Sequence, residues 1–312
     1  MHGVEIDAVL LLSFGGPEGP DDVMPFLENV TRGRNVPRER LEVVATHYLD
    51  VFGGVSPINA QCRELLEALR AELPDLPVYW GNRNWHPFVH DVQEQMVADG
   101  VQHCAVVVTS AFPSYSGCRQ YQEDLAPMPT WSKLRHYYAE EGFLEPMRRN
   151  VEAAGLPAAR LVFTAHSIPL SMAACAGPDG NAYVDTLRLA CAAVAGDRSW
   201  DLVFQSRSGP PHVPWLEPDV GDHLLALYDE GVREAVVVPI GFTSDHVEVV
   251  YDLDVQLPSQ LPADLVIRRA KTVGTDPQFV AMLAGLVRDR QADVPAPQGI
   301  AIHDTCPASC CV

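Results

Sequence analysis

Positive charge is scarce in this chain. Lysine and arginine total 22 against 41 aspartates and glutamates over 312 residues, a net charge of −19. That excludes broad nucleic-acid binding, because no cationic excess exists to displace phosphate counterions. It also excludes electrostatic docking on anionic lipid. Such charge serves solubility, so an anionic ligand would need arginines placed locally. Long hydrophobic runs are lacking too: no window reaches membrane-spanning length without charges. The opening MHGVEIDAVLLLSFGG has no basic start, carries Glu5 and Asp7, and ends its apolar run too early for a signal peptide. A cytoplasmic protein with no integral membrane segment is expected, and in that compartment its eight cysteines do not form a disulfide framework. No short repeat is visible, and low complexity is confined to the Pro-containing stretch 294–298.

What is there is an ordinary globular composition, 47% hydrophobic, long enough for two domains or one large α/β unit. Apolar runs recur at 8–14, 78–80, 105–109, 161–164, 202–204, 235–239 and 265–268. Between them, helical patterns fit 39–48, 58–72, 88–99, 146–154, 183–195, 219–230 and 277–290. Strands alternating with helices predict parallel βαβ units, hence an α/β fold of two halves, 1–145 and 146–293, with an extension over 294–312. Such a fold places its ligand outside the carboxyl ends of the strands.

Those strand ends are polar, and for their serines and threonines helix capping is the favoured reading. Gly15-Gly16-Pro17-Glu18-Gly19-Pro20 follows the first strand but has neither GxGxxG spacing nor a Lys-Ser/Thr ending, so it reads as a tight turn rather than a phosphate loop. Capping does not explain two histidines. His166 closes LVFTAH, and His246 precedes Glu248 and Asp252 in VVVPIGFTSDHVEVVYDLD. Glu248 and Asp252 are four apart, so on a helix they share one face, with Gln256 continuing the row. Carboxylates stacked beside histidine suit a divalent metal or a proton relay. Singly, His166 reads as a hydrogen-bonded strand end and Glu248 as an acid favoured in a first helical turn; together they offer a base tunable near neutrality and a carboxylate to hold its proton.

The tail carries Cys306, Cys310 and Cys311 within its last seven residues. Thiolate ligation of a metal is one reading, a frayed tail with adventitious thiols the other. A fourth ligand would come from Cys118 in SYSGCRQY, with Cys175 in reserve; zinc and a [2Fe–2S] cluster both remain open. Cys104 and Cys191 fall in apolar patterns and read as core, as do Trp80 and Trp200 beside strands. Tyr115 and Trp215 lie in strand-end loops where a flat ligand could stack. Arg32, Arg34, Arg119 and Arg207 could pair with ligand carboxylates, although surface charge is the default for any one of them.

LLLSFGGPEGPDDVMPFLENVTRGR, GGVSPIN, YWGNRNWHPFV, SYSGCRQYQEDL, FTAHSIP, FQSRSGPPHVPWLEP and PIGFTSDHVEVVYDLD, taken in order along nearly the whole chain, resemble the ferrochelatases. The resemblance is strongest to the actinobacterial enzymes that use coproporphyrin. It implies two Rossmann-like halves clasping a porphyrin, and a lyase-class chelatase that inserts Fe²⁺ into coproporphyrin III with loss of two pyrrole protons. His166 matches the family's essential histidine, Glu248 its partner, and Asp252 the next carboxylate, all three expected at the metal. Gln256 stands where a third acid is usual, which breaks a three-carboxylate conduit. Phe14 replaces a tyrosine of some relatives and is expected to pack against substrate; Ser56 of GGVSPIN joins it there, with Arg32, Arg34, Tyr115, Arg119, Arg207 and Trp215. Cys118 and the tail cysteines match members with a [2Fe–2S] cluster, which shifts the expectation from zinc to iron–sulfur, in a structural or regulatory role. The alternatives are a protoporphyrin IX ferrochelatase, a chelatase for another tetrapyrrole or metal, and a haem- or iron–sulfur-binding sensor without turnover. A monomer is the favoured state.

Overall fold

Among the described residues, eight strands pair into two parallel four-stranded sheets. The computed structural model describes residues 5–34, 36–210, 212–303, 305–307 and 310–311. The chain divides into two compact units: one holds the described residues to Thr109, Tyr121–Leu134 and Leu283–Val294, the other Ser110–Gln120, Arg135–Met282 and the described residues from Pro295 onward.

In the first unit, β1 (Ala8–Ser13), β2 (Val78–Asn82), β3 (His103–Val108) and β4 (Thr130–Lys133) run in the order β2-β1-β3-β4. Every residue of β1 is buried, as a strand covered on both faces requires. Ala8, Leu10 and Leu12 join Val89, Val92 and Met96 of the helix Val89–Ala98 in one core. β4 has no counterpart in the sequence reading. TWSK is a four-residue edge strand with one buried side chain, so it shows no apolar run to find. Gly15 needs its glycine: its φ is +83°, and a Cβ there would lie 2.8 Å from the Asn82 Cβ.

The second unit repeats the plan with β5 (Arg160–His166), β6 (Trp200–Gln205), β7 (Glu234–Val238) and β8 (Val266–Arg269), ordered β6-β5-β7-β8. β5 pairs with both β6 and β7, so the strand order reverses between β5 and β7, and the crevice at their carboxyl ends is where such sheets bind ligands. Val162, Val203 and Val237 pack on Leu224 of the helix Val220–Asp229 and on Val249, Leu253 and Leu257, which follow β7.

Several sequence expectations need correction. The helix expected from Pro146 begins at Glu141 and keeps Pro146 inside it. Proline in a helix interior costs about 3 kcal/mol, but the added turn buries Phe143 and Leu144, each worth roughly 1.5–3 kcal/mol. The helix Val23–Val30, unassigned from sequence, buries Val23, Phe26 and Leu27. Trp80 and Trp200, read as core, are half-buried; Arg63 lies over the Trp80 ring, 5.2 Å from its centroid. Nor is the Glu248–Gln256 row one regular helix: an α-turn, Val247–Val250, gives way to a π-helical stretch, Tyr251–Gln256, before the short helix Leu257–Gln260. The wider π turn rotates Asp252 and Gln256 away from strict α-helical stacking on Glu248. Among the described residues, no helix is long and apolar enough to cross a membrane.

Candidate active site

The carboxyl end of β5 presents His166. Its Nδ1 lies 2.5 Å from the Ser167 carbonyl oxygen. A carbonyl only accepts, so Nδ1 carries the proton and Nε2 is left as the basic nitrogen. That nitrogen is 3.7 Å from Glu248 Oε1, on the first turn after β7. Burial opposes an imidazolium here, but the Glu248 charge and the Ser167 carbonyl outweigh it and raise the His166 pKa. Burial likewise opposes the Glu248 carboxylate, and the His166 charge overcomes it, holding Glu248 well below the usual carboxylate range. Glu248 keeps 48% of its side-chain surface exposed, so the pair is reachable by a ligand and partly screened by solvent.

Two further groups titrate in the opposite sense. His246 is pushed down, first by burial and then by the charge of His166. Asp252 is pushed up to about 6, by burial first and then by the Glu248 charge. Ser206 Oγ donates to Asp252 Oδ2, and Ser206 takes a left-handed φ of +59° to do so at the end of β6. Gln205 Nε2 donates to the Glu248 carbonyl at 2.9 Å, while its Oε1 is buried without a partner. Groups of opposite shift held a few ångströms apart are how one site supplies both an acid and a base near neutrality.

Arg269, on β8, decides which acids of this segment stay available. It donates to Asp254 Oδ1 at 2.7 Å and Oδ2 at 2.8 Å, and to Asp245 Oδ1 at 2.7 Å. With those two held by one guanidinium, Glu248 and Asp252 are the carboxylates whose charges act on His166. The sequence reading gave no role to Arg269, Gln205 or Ser206, and noted His246 beside the carboxylates without making it a site residue. Gln205 and Ser206 were visible as a polar strand end and His246 as a neighbour of Glu248, whereas Arg269 carries no local signal.

The cysteines form a second group. Cys118, Cys310 and Cys311 are buried together, with Cys306 and Tyr115 packed against them. Cys310 and Cys311 sulfurs are 3.8 Å apart, and ligand atoms of His303, Cys306 and Cys310 lie within 4.8 Å of one another. Cys118 sits in a π-type turn, Tyr115–Arg119, in which Gly117 N donates to Ser114 Oγ at 2.8 Å. The His303 hydrogen bond lowers the Cys306 thiol pKa, and burial raises that of Cys310 to about 11. None of the eight cysteines is in a disulfide. Cys175, the reserve ligand, is exposed and lies outside this group; Cys104 and Cys191 are core residues.

The remaining candidates fall in both units. In the first unit, Phe14 is 37% exposed with its ring edge-on to Phe26, Arg32 and Arg34 lie exposed just beyond the helix Val23–Val30, and Ser56 is buried, its N–H donating to Pro17 O. In the second, Tyr115 and Arg119 belong to the cysteine turn. Arg207 is exposed and donates to Val213 O at 3.1 Å. Trp215 folds onto Gly209 with Nε1 buried and unpartnered, and bridges to Pro169 just past His166. A cavity of about 610 Å³ lined by Arg160, Arg198 and Arg233 sits at the amino ends of β5–β7, the opposite end of the sheet from His166.

The described geometry has clear relatives. A family profile described as Ferrochelatase matches residues 6–291, ending before the tail cysteines. The chain is 50% identical over 349 residues to coproporphyrin III ferrochelatase of Streptomyces coelicolor, covering 98% of this chain and 93% of that protein. It is 52% identical over 344 residues to coproporphyrin III ferrochelatase of Frankia alni, covering 98% and 87%. The solved structure of SirB from Bacillus subtilis with Fe³⁺ superposes with a TM-score of 0.59 at 14% identity, covering 92% of this chain and 96% of that one, a likeness of fold.

Proposed function

The chain belongs to the ferrochelatase family, and from that premise we propose that it inserts Fe²⁺ into coproporphyrin III to give coprohaem. The observation that carries the chemistry is the His166–Glu248 pair at the β5/β7 switch point, with the His166 proton held on Nδ1. Inserting a divalent metal expels two pyrrole protons, so the site needs a base whose conjugate acid is stabilised. His166 Nε2 accepts a pyrrole proton, and Glu248 balances the imidazolium that results. Asp252 has a pKa of about 6, so it can take up or release a second proton close to neutral pH. Imidazole and carboxylate oxygens hold Fe²⁺ less tightly than a tetrapyrrole does, so His166, Glu248 and Asp252 can receive the ion and give it up.

The substrate choice rests on the relatives' printed names and on charge. Coproporphyrin carries more propionates than protoporphyrin, and a protein of net charge −19 must meet them with local cations. Arg207, Arg119, Arg32 and Arg34 are assigned to that task, with Trp215, Tyr115, Phe14 and Ser56 against the ring.

Cys118, Cys306, Cys310 and Cys311 are assigned as ligands of a [2Fe–2S] cluster. The fit is chemical: four cysteines outside any disulfide, gathered and largely buried, match a tetrathiolate donor set. Bound there, the cluster would supply a covalent cross-link and a one-electron redox couple; the iron-insertion chemistry does not require it. The reaction is assigned to the cytoplasm, where such thiols stay reduced, and to a monomer.

Anaerobic Fe²⁺ insertion, followed by absorbance with coproporphyrin III and protoporphyrin IX side by side, tests the reading. Preference for coproporphyrin supports it, preference for protoporphyrin overturns the substrate, and no insertion into either overturns the activity. His166→Ala should lower insertion by about 10²–10⁴-fold with porphyrin binding retained, the range expected for loss of a general base.

A further inference from the structure

Tyr183 is the second residue of the helix Ala182–Ala195 and is 6% exposed. Its hydroxyl donates to the His166 carbonyl across 2.9 Å. That carbonyl belongs to the last residue of β5, where the sheet ladder stops, so Tyr183 anchors the backbone from which the imidazole projects. The preceding residues form a tight turn: Asn181 N donates to Ala174 O at 3.3 Å, and Ala182 N to Ala176 O at 2.9 Å. Gly177 lies inside this turn at φ +79°, so close to Ala182 that a Cβ on it would come within 2.5 Å of the Ala182 Cβ. The Gly177 N–H donates to Cys311 Sγ at 3.5 Å.

A second tie reaches the same segment from the other cysteine-bearing element. Ser116 Oγ, in the turn that carries Cys118, lies 3.8 Å from Met172 Sδ as its donor. Met172 is on the short helix Leu170–Ala174, which begins just after His166-Ser167-Ile168-Pro169. Residues 166–183 are thus contacted at two interior points, Met172 and Gly177, by elements that bring thiols into the cysteine group.

We infer that Tyr183 is a positioning residue for His166, and that Cys311, through Gly177 and the turn leading into Tyr183, couples the state of the cysteine group to the placement of the imidazole. The physical link is contact and hydrogen bonding. A metal-bound Cys311 thiolate is a stronger and better-fixed acceptor for the Gly177 N–H than a free thiol, so loading the group rigidifies the turn and unloading it loosens the Tyr183 anchor. This gives the cysteine group an influence on iron insertion without placing it at the reacting atoms, and it rests on the reading of His166 as the proton acceptor.

The test uses the full chain purified anaerobically, with hydrogen–deuterium exchange read on peptides covering 163–168 and 175–184. Tyr183→Phe removes only the hydroxyl. It should keep the visible absorption of the cysteine group and a coproporphyrin KM within about twofold, lower kcat about tenfold, the size expected from one lost buried hydrogen bond, and speed exchange at 163–168. Removing the cluster with a chelator should speed exchange in both peptides of the unmodified chain, and in Tyr183→Phe only at 175–184. Should the protein hold no cluster, Cys311→Ala provides the same comparison, so failure of the iron–sulfur reading is separate from failure of the coupling. Should it insert no iron, the exchange arms still decide. Unchanged exchange at 163–168 after cluster loss or Cys311→Ala overturns the coupling, and an unchanged 163–168 peptide in Tyr183→Phe overturns the anchor. If Tyr183→Phe does not fold, Cys311→Ala decides the coupling, and Tyr183→Trp, which also lacks the hydroxyl, decides the anchor by the same 163–168 peptide.

Discussion

Gln205 Nε2 donates to the backbone carbonyl of Glu248 across 2.9 Å, joining the end of β6 to the first turn after β7. A side chain on one strand thereby fixes the backbone that carries the carboxylate facing His166. Gln205→Leu, which fills similar volume, leaves the Glu248 carbonyl without this donor. A lost buried partner of this kind costs about 1–3 kcal/mol. Urea unfolding should show a loss of that size, and insertion should fall more in kcat than in KM, because the fault lies in placement of a reacting group.

The charge of Glu248 raises the pKa of His166, and His166 works as a base only when its Nε2 is unprotonated. Activity of the native chain should therefore rise with pH as the imidazolium loses its proton. Glu248→Gln removes the stabilising charge, lowers that pKa, and moves the acid limb of kcat/KM to lower pH even as the maximal rate drops. Titration of the His166 ring protons by NMR in metal-free protein provides the independent check; a limb that moves to higher pH would contradict the pairing.

Asp252 titrates at about 6 in the folded chain against an ordinary 3.8. Below 3.8 it is protonated in both folded and unfolded chains. As pH rises towards 6 the unfolded chain ionises first, so stability falls, and above 6 the folded protein carries the full burden of a charge beside Glu248. Asp252→Asn keeps an acceptor for Ser206 and removes that burden. It should raise stability near pH 7.5 by about 1–2 kcal/mol after solvent screening, with the gain shrinking as pH drops towards 4, while insertion slows. Thermal melts at the two pH values measure this.

Cys306 packs on the buried thiols and Cys175 is exposed away from them. Cys306→Ser should abolish the visible absorption of an iron–sulfur cluster and lower the bound iron and sulfide, whereas Cys175→Ser should leave both unchanged. A spectrum lost in Cys175→Ser would move the ligand set.

The sequence by itself located seven of the eight described strands and the parallel α/β class, and offered His166 and Glu248 as candidates, since buried parallel strands write unbroken apolar runs and strand-end polar residues mark a ligand crevice. Its family motifs carried the ferrochelatase membership that the comparisons bear out. The tertiary structure decided what depends on residues distant in the chain. Whether Asp245 and Asp254 are available or tied up turns on Arg269, which reaches them from β8. Whether Glu248 and Asp252 stack turns on a change from α to π geometry that a four-residue spacing does not encode. That the Tyr183 hydroxyl reaches the His166 carbonyl, and that Cys118 meets cysteines from the other end of the chain, are contacts between residues separated in sequence. Periodicity records which face of an element is buried; it holds no record of which distant side chain will complete a hydrogen bond or balance a charge.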